Sequence, residues 1–123
     1  KPLVEVWKSP TCGCCKDWIA HLEANGFKAK VHEDGNTDQR AELGIPIRYG
    51  SCHTALVGGY AIEGHVPARE VRRLLAEKPK AVGLAVPAMP LGSPGMEVPG
   101  KKDAYDVVAF DKAGKIAVFE SHR

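Results

Sequence analysis

The sequence predicts a single α/β domain, residues 1–123, in which the elements follow the order β-α-β-α-β-β-α before a long loop and a C-terminal β-hairpin. Three observations indicate this class. Runs with β-type alternation are separated by stretches with apolar residues at helical spacing. Two glycines join a pair of such runs, as in a tight hairpin. The length of 123 residues suits one compact domain with its own core.

The first half of the chain predicts two units of a strand followed by a helix. Leu3–Trp7 has the pattern of a short strand, and Trp18–Leu22 has helical spacing until Asn25-Gly26 ends the helix. Phe27–Glu33 alternates like a strand with one buried face. A short helix, ending with Leu43, is expected next, because glycine and proline follow it.

The second half predicts a hairpin and a further helix. His53–Val57 and Tyr60–Gly64 flank Gly58-Gly59, and a glycine pair supplies the positive φ values that a tight turn needs. Pro67 suits the first turn of a helix whose apolar stripe includes Val71.

The composition changes sharply in residues 80–102, where proline, glycine, alanine and methionine dominate. A loop of this length in a compact domain is usually a disordered linker or a functional cover, and its apolar content favours a cover packed on the protein. Residues 103–123 then predict a C-terminal β-hairpin, with strands over Tyr105–Phe110 and Lys115–Phe119.

The charge pattern and the lengths of the apolar runs exclude two classes of function. Seventeen basic and fifteen acidic side chains leave a net charge of +2 without a block of like charges, which predicts no nucleic-acid partner. No apolar run approaches the roughly 20 residues of a membrane-spanning helix, so no membrane insertion is expected. The chain opens on Lys1-Pro2 with no signal peptide, and we expect a mature or trimmed product.

Three of the four cysteines, Cys12, Cys14 and Cys15, crowd the predicted turn between the first strand and the first helix. Thiols this close together bind metal, form disulfides or exchange them. The backbone N–H groups and the dipole of the helix start favour negative charge on sulfur. Lys16 acts in the same direction, so the turn is suited to thiolates.

The fourth cysteine, Cys52, comes immediately before the first strand of the Gly58-Gly59 hairpin. The predicted order of elements is thioredoxin-like, and in that arrangement the entry of this strand lies beside the turn that carries the first cysteines. We therefore expect Cys52 to face the other three cysteines.

Four stretches of the chain resemble the CopG family of bacterial copper-resistance proteins: Trp7–Cys15, Ser51–Ala55, Glu63–Pro67 and Met89–Glu97. The resemblance extends over nearly the whole chain. It implies a thioredoxin-like fold, export to the periplasm and a polynuclear copper(I) cluster on cysteine thiolates, with Cys12, Cys14, Cys15 and Cys52 as the ligands. It also implies work alongside copper efflux or chaperone proteins, and it leaves open whether the chain is a copper oxidoreductase or a passive copper store.

The charge of the four thiols favours copper(I) over the alternative metal, zinc. Four thiolates about 4 Å apart form six pairs, and each pair costs about 4 kcal/mol at an effective dielectric constant of about 20. One zinc ion leaves a net charge of −2, whereas copper(I) in equal number with sulfur leaves none, and soft thiolates select copper(I). Zinc sites also usually take their cysteines from two separate pairs.

Two interpretations without a copper cluster remain. The cysteines could form structural disulfides in an exported domain. Alternatively, Cys12 and Cys15 could be the dithiol of a thiol–disulfide or arsenate-type oxidoreductase, because such enzymes keep their nucleophile at this helix start. Two features weaken the second interpretation: the additional Cys14, and Cys52 at the position where thioredoxin-like enzymes have a cis-proline.

Three further side chains are candidates for accessory ligands, or for groups that hold the ligands in place: His53, His65 and Met96. His53 follows Cys52, and His65 follows the hairpin at the same end of the sheet. Met96 is a thioether in the long loop, and we expect it to approach the cysteines more closely than Met89 does. The other histidines, His21, His32 and His122, are expected to be ordinary hydrogen-bonded or surface residues.

Overall fold

The computed structural model describes residues 2–8, 13–33, 35, 42, 53–86, 94, 103–113 and 115–122, with Gly13 and Cys14 described in their backbone only. Seven strands and two helices lie in these ranges, which confirms the predicted α/β class. They are β1 (Leu3–Lys8), α1 (Gly13–Ala24), β2 (Lys28–His32), β3 (His53–Val57), β4 (Tyr60–Glu63), α2 (Ala68–Glu77), β5 (Gly83–Ala85), β6 (Tyr105–Phe110) and β7 (Ile116–His122).

The strands form one sheet in the order β2-β1-β3-β4-β5-β6-β7. Strand β1 runs parallel to β2 and antiparallel to β3, so it lies between the first β–α unit and the hairpin. The pairing of β1 with β3 places Lys8 opposite His53. Because α1 begins soon after Lys8, this register brings the start of β3 to the start of α1.

The main core fills the side of the sheet that carries both helices. Trp18 and Leu22 from α1 and Leu74 from α2 pack there with Val6 of β1 and Ala55 of β3. Successive side chains of a strand point to opposite faces. A smaller buried cluster of Ala61, Ala85, Val108 and Phe110 accordingly lies on the other face.

Both predicted hairpins are confirmed. Strands β3 and β4 are antiparallel and joined by Gly58 and Gly59, whose φ values of 56° and 85° are those of a two-glycine turn with both residues left-handed. Strands β6 and β7 form the C-terminal hairpin. In its turn, the Asp111 carboxylate accepts hydrogen bonds from the backbone N–H groups of Ala113 and Lys115, each at 2.9 Å.

The strand β5 was not predicted, because Gly83–Ala85 lies within the stretch assigned to the long loop. Three residues are too few to show alternation, so the sequence pattern gave no signal. The strand pairs in parallel with β4. A Cβ atom on Gly83 would lie 1.7 Å from the carbonyl oxygen of Ala61, so glycine is the residue that permits this close pairing.

Two predictions reach residues that the structure leaves undescribed. The short helix ending at Leu43 lies outside the described residues apart from Glu42, which is helical. Between Val86 and residue 103, in the long loop, Pro94 is the one residue that the structure describes. In the part of the chain that is described, neither helix has the length and apolar character needed to cross a membrane.

Candidate metal centre

The described residues place one cysteine side chain, that of Cys15. It is the third residue of α1 and is fully buried. Cys14 precedes it in the same helical turn, while Cys12 and Cys52 lie outside the described residues. Whether all four sulfurs converge therefore stays a prediction. The chain segment after Cys52, however, begins β3, and that strand meets α1 at this point.

The contact between the two cysteine-bearing segments is made by His53. Its Nδ1 atom lies 3.2 Å from the sulfur of Cys15, and both side chains are buried. The contact joins residues 38 positions apart in the sequence. The expectation that His53 lies beside the cysteine turn agrees with this geometry, since one of its nitrogens faces a cysteine sulfur.

The hydrogen bond on the far side of the His53 ring determines which of its nitrogens carries the proton. The other nitrogen then has a free lone pair. The Nε2 atom of His53 lies 2.8 Å from the carbonyl oxygen of Gly64, which can only accept, so Nε2 carries the proton. Burial, followed by the charge of His65 and, to a smaller extent, that of Lys8, lowers the pKa of His53 from 6.5 to about 3, against the raising effect of the Gly64 bond. The ring is therefore neutral at pH 7, and Nδ1 presents a lone pair to Cys15.

Two aromatic rings contact the His53 ring. The Trp18 ring stacks on it with centroids 4.4 Å apart, and its Nε1 donates a hydrogen bond to the carbonyl oxygen of Val66 at 2.8 Å. The ring of His65 meets His53 edge-on, at 5.0 Å between centroids. Trp18 is also part of the main core. Its spacing of three residues from Cys15, on the same face of α1, is the sequence signal for its place beside the site.

His65 connects the site to the long loop. It is buried, and its Nδ1 donates a hydrogen bond to the carbonyl oxygen of Pro94 at 2.5 Å. One residue of the expected cover therefore lies against the histidine pair. Met89 and Met96 lie outside the described residues, so the expected approach of Met96 to the cysteines stays a prediction.

The sulfur of Cys15 is joined in a disulfide. A disulfide sulfur carries no proton. In this state the Nδ1 lone pair and the sulfur share no hydrogen, whereas the thiol formed on reduction can donate to Nδ1. The site therefore stands here in an oxidised form that reduction would convert to thiols.

The donors brought together by the described residues suit a soft metal ion. Sulfur and imidazole nitrogen are ligands for copper and zinc, and the nitrogen is oriented by a carbonyl on its other side, as in many metal-binding histidines. Among the residues that the structure describes, no group of three or more histidine, cysteine or acidic side chains is arranged around a common point. A complete donor set would therefore need Cys12, Cys14 or Cys52.

The three histidines expected to have ordinary roles make hydrogen bonds elsewhere. His21 accepts one from the backbone N–H of Ala68 at 3.0 Å and so caps α2, whose N-cap residue Pro67 has no capping side chain. His32 bonds to Glu5 at 2.7 Å, and His122 bonds to Glu70. None of these contacts involves the Cys15–His53 pair.

Comparison with known proteins gives three findings. A family model described as a protein of unknown function, DUF411, matches residues 49–96. Two solved structures, named copper resistance protein copG, Form 1 and Form 2, are each 45% identical to this chain and cover 99% of it and 98% of their own length. Their TM-scores are 0.92 and 0.93. No curated protein matches the chain.

Proposed function

The chain belongs to the CopG family of copper-resistance proteins, and from that membership we propose that it binds copper through cysteine thiolates in a copper-resistance role. The observation that carries the proposal is the buried pair of Cys15 Sγ and His53 Nδ1, 3.2 Å apart. A neutral imidazole and a sulfur that becomes a thiol on reduction are donors for a soft ion, and both are shielded from water.

The proposed ligands are Cys12, Cys14, Cys15 and Cys52, which would hold copper(I) as a polynuclear cluster. The support is the meeting of the two cysteine-bearing segments. Cys14 and Cys15 lie in the first turn of α1, and Cys52 directly precedes His53, which contacts Cys15. Copper(I) in equal number with thiolate leaves no net charge, and a buried pocket favours this neutral state over zinc with four thiolates.

His53 and His65 are the proposed accessory donors. The Gly64 carbonyl fixes the proton of His53 on Nε2, and the Pro94 carbonyl fixes that of His65 on Nδ1. The opposite nitrogen of each ring then carries the lone pair that a metal ion needs. Since Pro94 lies two positions before Met96, its contact with His65 supports the proposal that the loop after β5 covers the pocket and that Met96 approaches it.

The proposal also covers the fold type, the cellular location and the partners. Placement of β1 between β2 and the β3–β4 hairpin, with α2 after the hairpin, supports a thioredoxin-like arrangement. We propose that the protein acts in the periplasm, with copper efflux or chaperone proteins as partners, and that bound copper can change its oxidation state there. These proposals follow from family membership.

A thiol–disulfide oxidoreductase is the second candidate, because Cys15 lies at a helix start and is joined in a disulfide. Against it, the Cys15 side chain is buried, whereas a nucleophile for a protein or glutathione disulfide must be reached from solvent. Such an enzyme would depend on Cys12 for the attack.

Titration of the reduced protein with copper(I) under anaerobic conditions separates the two candidates. We expect each chain to take up more than one copper(I) ion, because several thiolates in one pocket require more than one positive charge for neutrality. An excess of zinc should not displace the copper. Turnover of a disulfide substrate by the metal-free protein, with uptake of one copper ion or none, would instead favour the oxidoreductase.

A further inference from the structure

Trp18 lies where the two segments of the candidate metal centre meet. It comes one helical turn after Cys15 in α1, and its relative exposure is 0%. Its Nε1 atom donates a hydrogen bond of 2.8 Å to the carbonyl oxygen of Val66, the residue after His65. One indole ring therefore joins the helix that carries Cys15 to the segment that carries His65.

The flat face of the Trp18 indole lies against the ring of His53. The two ring centroids are 4.4 Å apart and the ring planes differ by 29°, so the rings are stacked. Aromatic pairs at about this separation attract each other beyond the effect of the area that they bury. Because the bond to Val66 also fixes the indole, Trp18 provides a rigid surface that sets the plane of the His53 ring.

The plane of the His53 ring decides where its Nδ1 atom points. The torsion about the Cβ–Cγ bond of a histidine has broad minima, so the side chain itself fixes this plane poorly. The hydrogen bond from Nε2 to the Gly64 carbonyl holds the far end of the ring. Nε2 lies nearer the Cβ–Cγ axis than Nδ1 does, so turning the ring moves Nδ1 further. A second constraint is therefore required to keep Nδ1 at 3.2 Å from the sulfur of Cys15.

The neighbours of His53 differ in whether they can supply this constraint. The ring of His65 meets it at an interplanar angle of 74° and so contacts it edge-on. Lys8, opposite His53 on β1, is buried and pairs with Glu33 at 3.1 Å, and its aliphatic chain has no flat surface. Among the residues described around the ring, Trp18 is the one stacked on its face.

We infer that Trp18 is a positioning residue of the metal centre: its stack on His53 keeps Nδ1 directed at the sulfur of Cys15 and so strengthens the binding of copper(I). The second half of this inference rests on the proposed function, in which His53 is an accessory donor. Groups that orient a metal-binding histidine typically contribute about 10- to 100-fold to metal affinity. Gly64 orients His53 through a hydrogen bond, and Trp18 does so through the face of the ring.

A role of Trp18 in core packing alone makes a different prediction. Trp18 belongs to the main core, so replacing it with a smaller residue lowers the free energy of unfolding in either case. In a packing role, any loss of copper affinity is the same whether or not residue 53 is histidine. In a positioning role, the loss depends on the His53 ring and disappears once that ring has been removed.

The test is a double-mutant cycle on the apparent copper(I) affinity, measured anaerobically by competition with a copper(I) chelator. Trp18→Leu should weaken binding on the order of tenfold when His53 is present and leave it nearly unchanged in the His53→Gln background. Trp18→Phe, which keeps a ring able to stack, should retain most of the affinity. Trp7→Leu is the matched control and should bind as the wild-type protein does, because Trp7 stacks on His32 on the other face of the sheet.

Nuclear Overhauser contacts in the reduced protein test the orientation of His53 itself, with and without copper(I), which is diamagnetic. In the wild-type protein we expect contacts of the His53 ring with both Trp18 and the Cys15 side chain. Trp18→Phe should keep the contact with Cys15, and Trp18→Leu should lose it. The wild-type measurement decides even where Trp18→Leu fails to fold, because absence of the stack in the copper-loaded protein would overturn the inference.

A normal affinity in Trp18→Leu, or an equal loss in the two backgrounds, would also overturn the inference and leave the proposed function standing. If the wild-type protein takes up no copper(I), the proposed function is rejected and the contacts alone decide. Loss of the contact between His53 and Cys15 in Trp18→Leu then supports the positioning of His53 by Trp18, and persistence of that contact rejects it.

Discussion

Lowering the pH from 7 to 4 should reduce the free energy of unfolding by about 3 kcal/mol through His53 alone. Burial, with the charges of His65 and Lys8, lowers the pKa of His53 in the folded protein from 6.5 to about 3. The unfolded chain therefore binds a proton that the folded protein does not. The stabilisation from the neutral ring is complete above the ordinary pKa and is lost as the pH falls towards the folded value.

Urea unfolding of the wild-type protein and of His53→Gln at the two pH values measures this effect. Glutamine has no titrating group, so the variant keeps every other source of acid sensitivity and lacks that of His53. We expect the wild-type protein to lose about 3 kcal/mol more than the variant on acidification. An equal loss in the two proteins would mean that the folded ring takes up its proton at the ordinary pKa, so that its surroundings do not hold it neutral.

Replacing Cys15 with serine should remove most copper binding, with an apparent affinity for copper(I) lower by on the order of a hundredfold or more. The change deletes the one cysteine sulfur described in contact with His53 and leaves a hard hydroxyl in its place. It also changes the charge balance of the pocket, because three thiolates neutralise one copper(I) fewer. Copper per chain, determined after anaerobic loading and gel filtration, is the measurement.

The matched control for this variant is His32→Gln. His32 stacks on Trp7 and bonds to Glu5, on the face of the sheet opposite α1, so it lies away from the Cys15–His53 pair. It should load as much copper as the wild-type protein does. A full copper complement in Cys15→Ser, with native circular dichroism, would show that Cys15 is not a ligand.

Local chemistry explains which parts of the fold could be predicted. Gly58-Gly59 predicts its hairpin because the turn needs two positive φ values, and the apolar stripe of Val71 and Leu74 predicts α2 because a helix repeats every 3.6 residues. Strand β5 has no such signal. It consists of three residues in an apolar loop, and it exists because Gly83 allows close pairing with β4.

The candidate site, too, could be predicted only in part from the sequence. Sequence position was enough to expect His53 and His65 near the cysteine turn, since one follows Cys52 and the other follows the hairpin. The contacts of Trp18 with His53, of Pro94 with His65 and of Lys8 with Glu33 could not be predicted, because each joins segments distant in sequence through packing. Lys8 in particular has the pattern of an ordinary polar strand end, and its burial depends on how α1 covers β1.

The central claim is that thiolates from both cysteine-bearing segments share copper ions in one pocket. X-ray absorption at the copper edge, on protein reduced and loaded without oxygen, tests it most directly. The account predicts a shell of sulfur around copper(I) together with a short copper–copper distance. Isolated copper ions surrounded mainly by nitrogen and oxygen, with no copper neighbour, would contradict it.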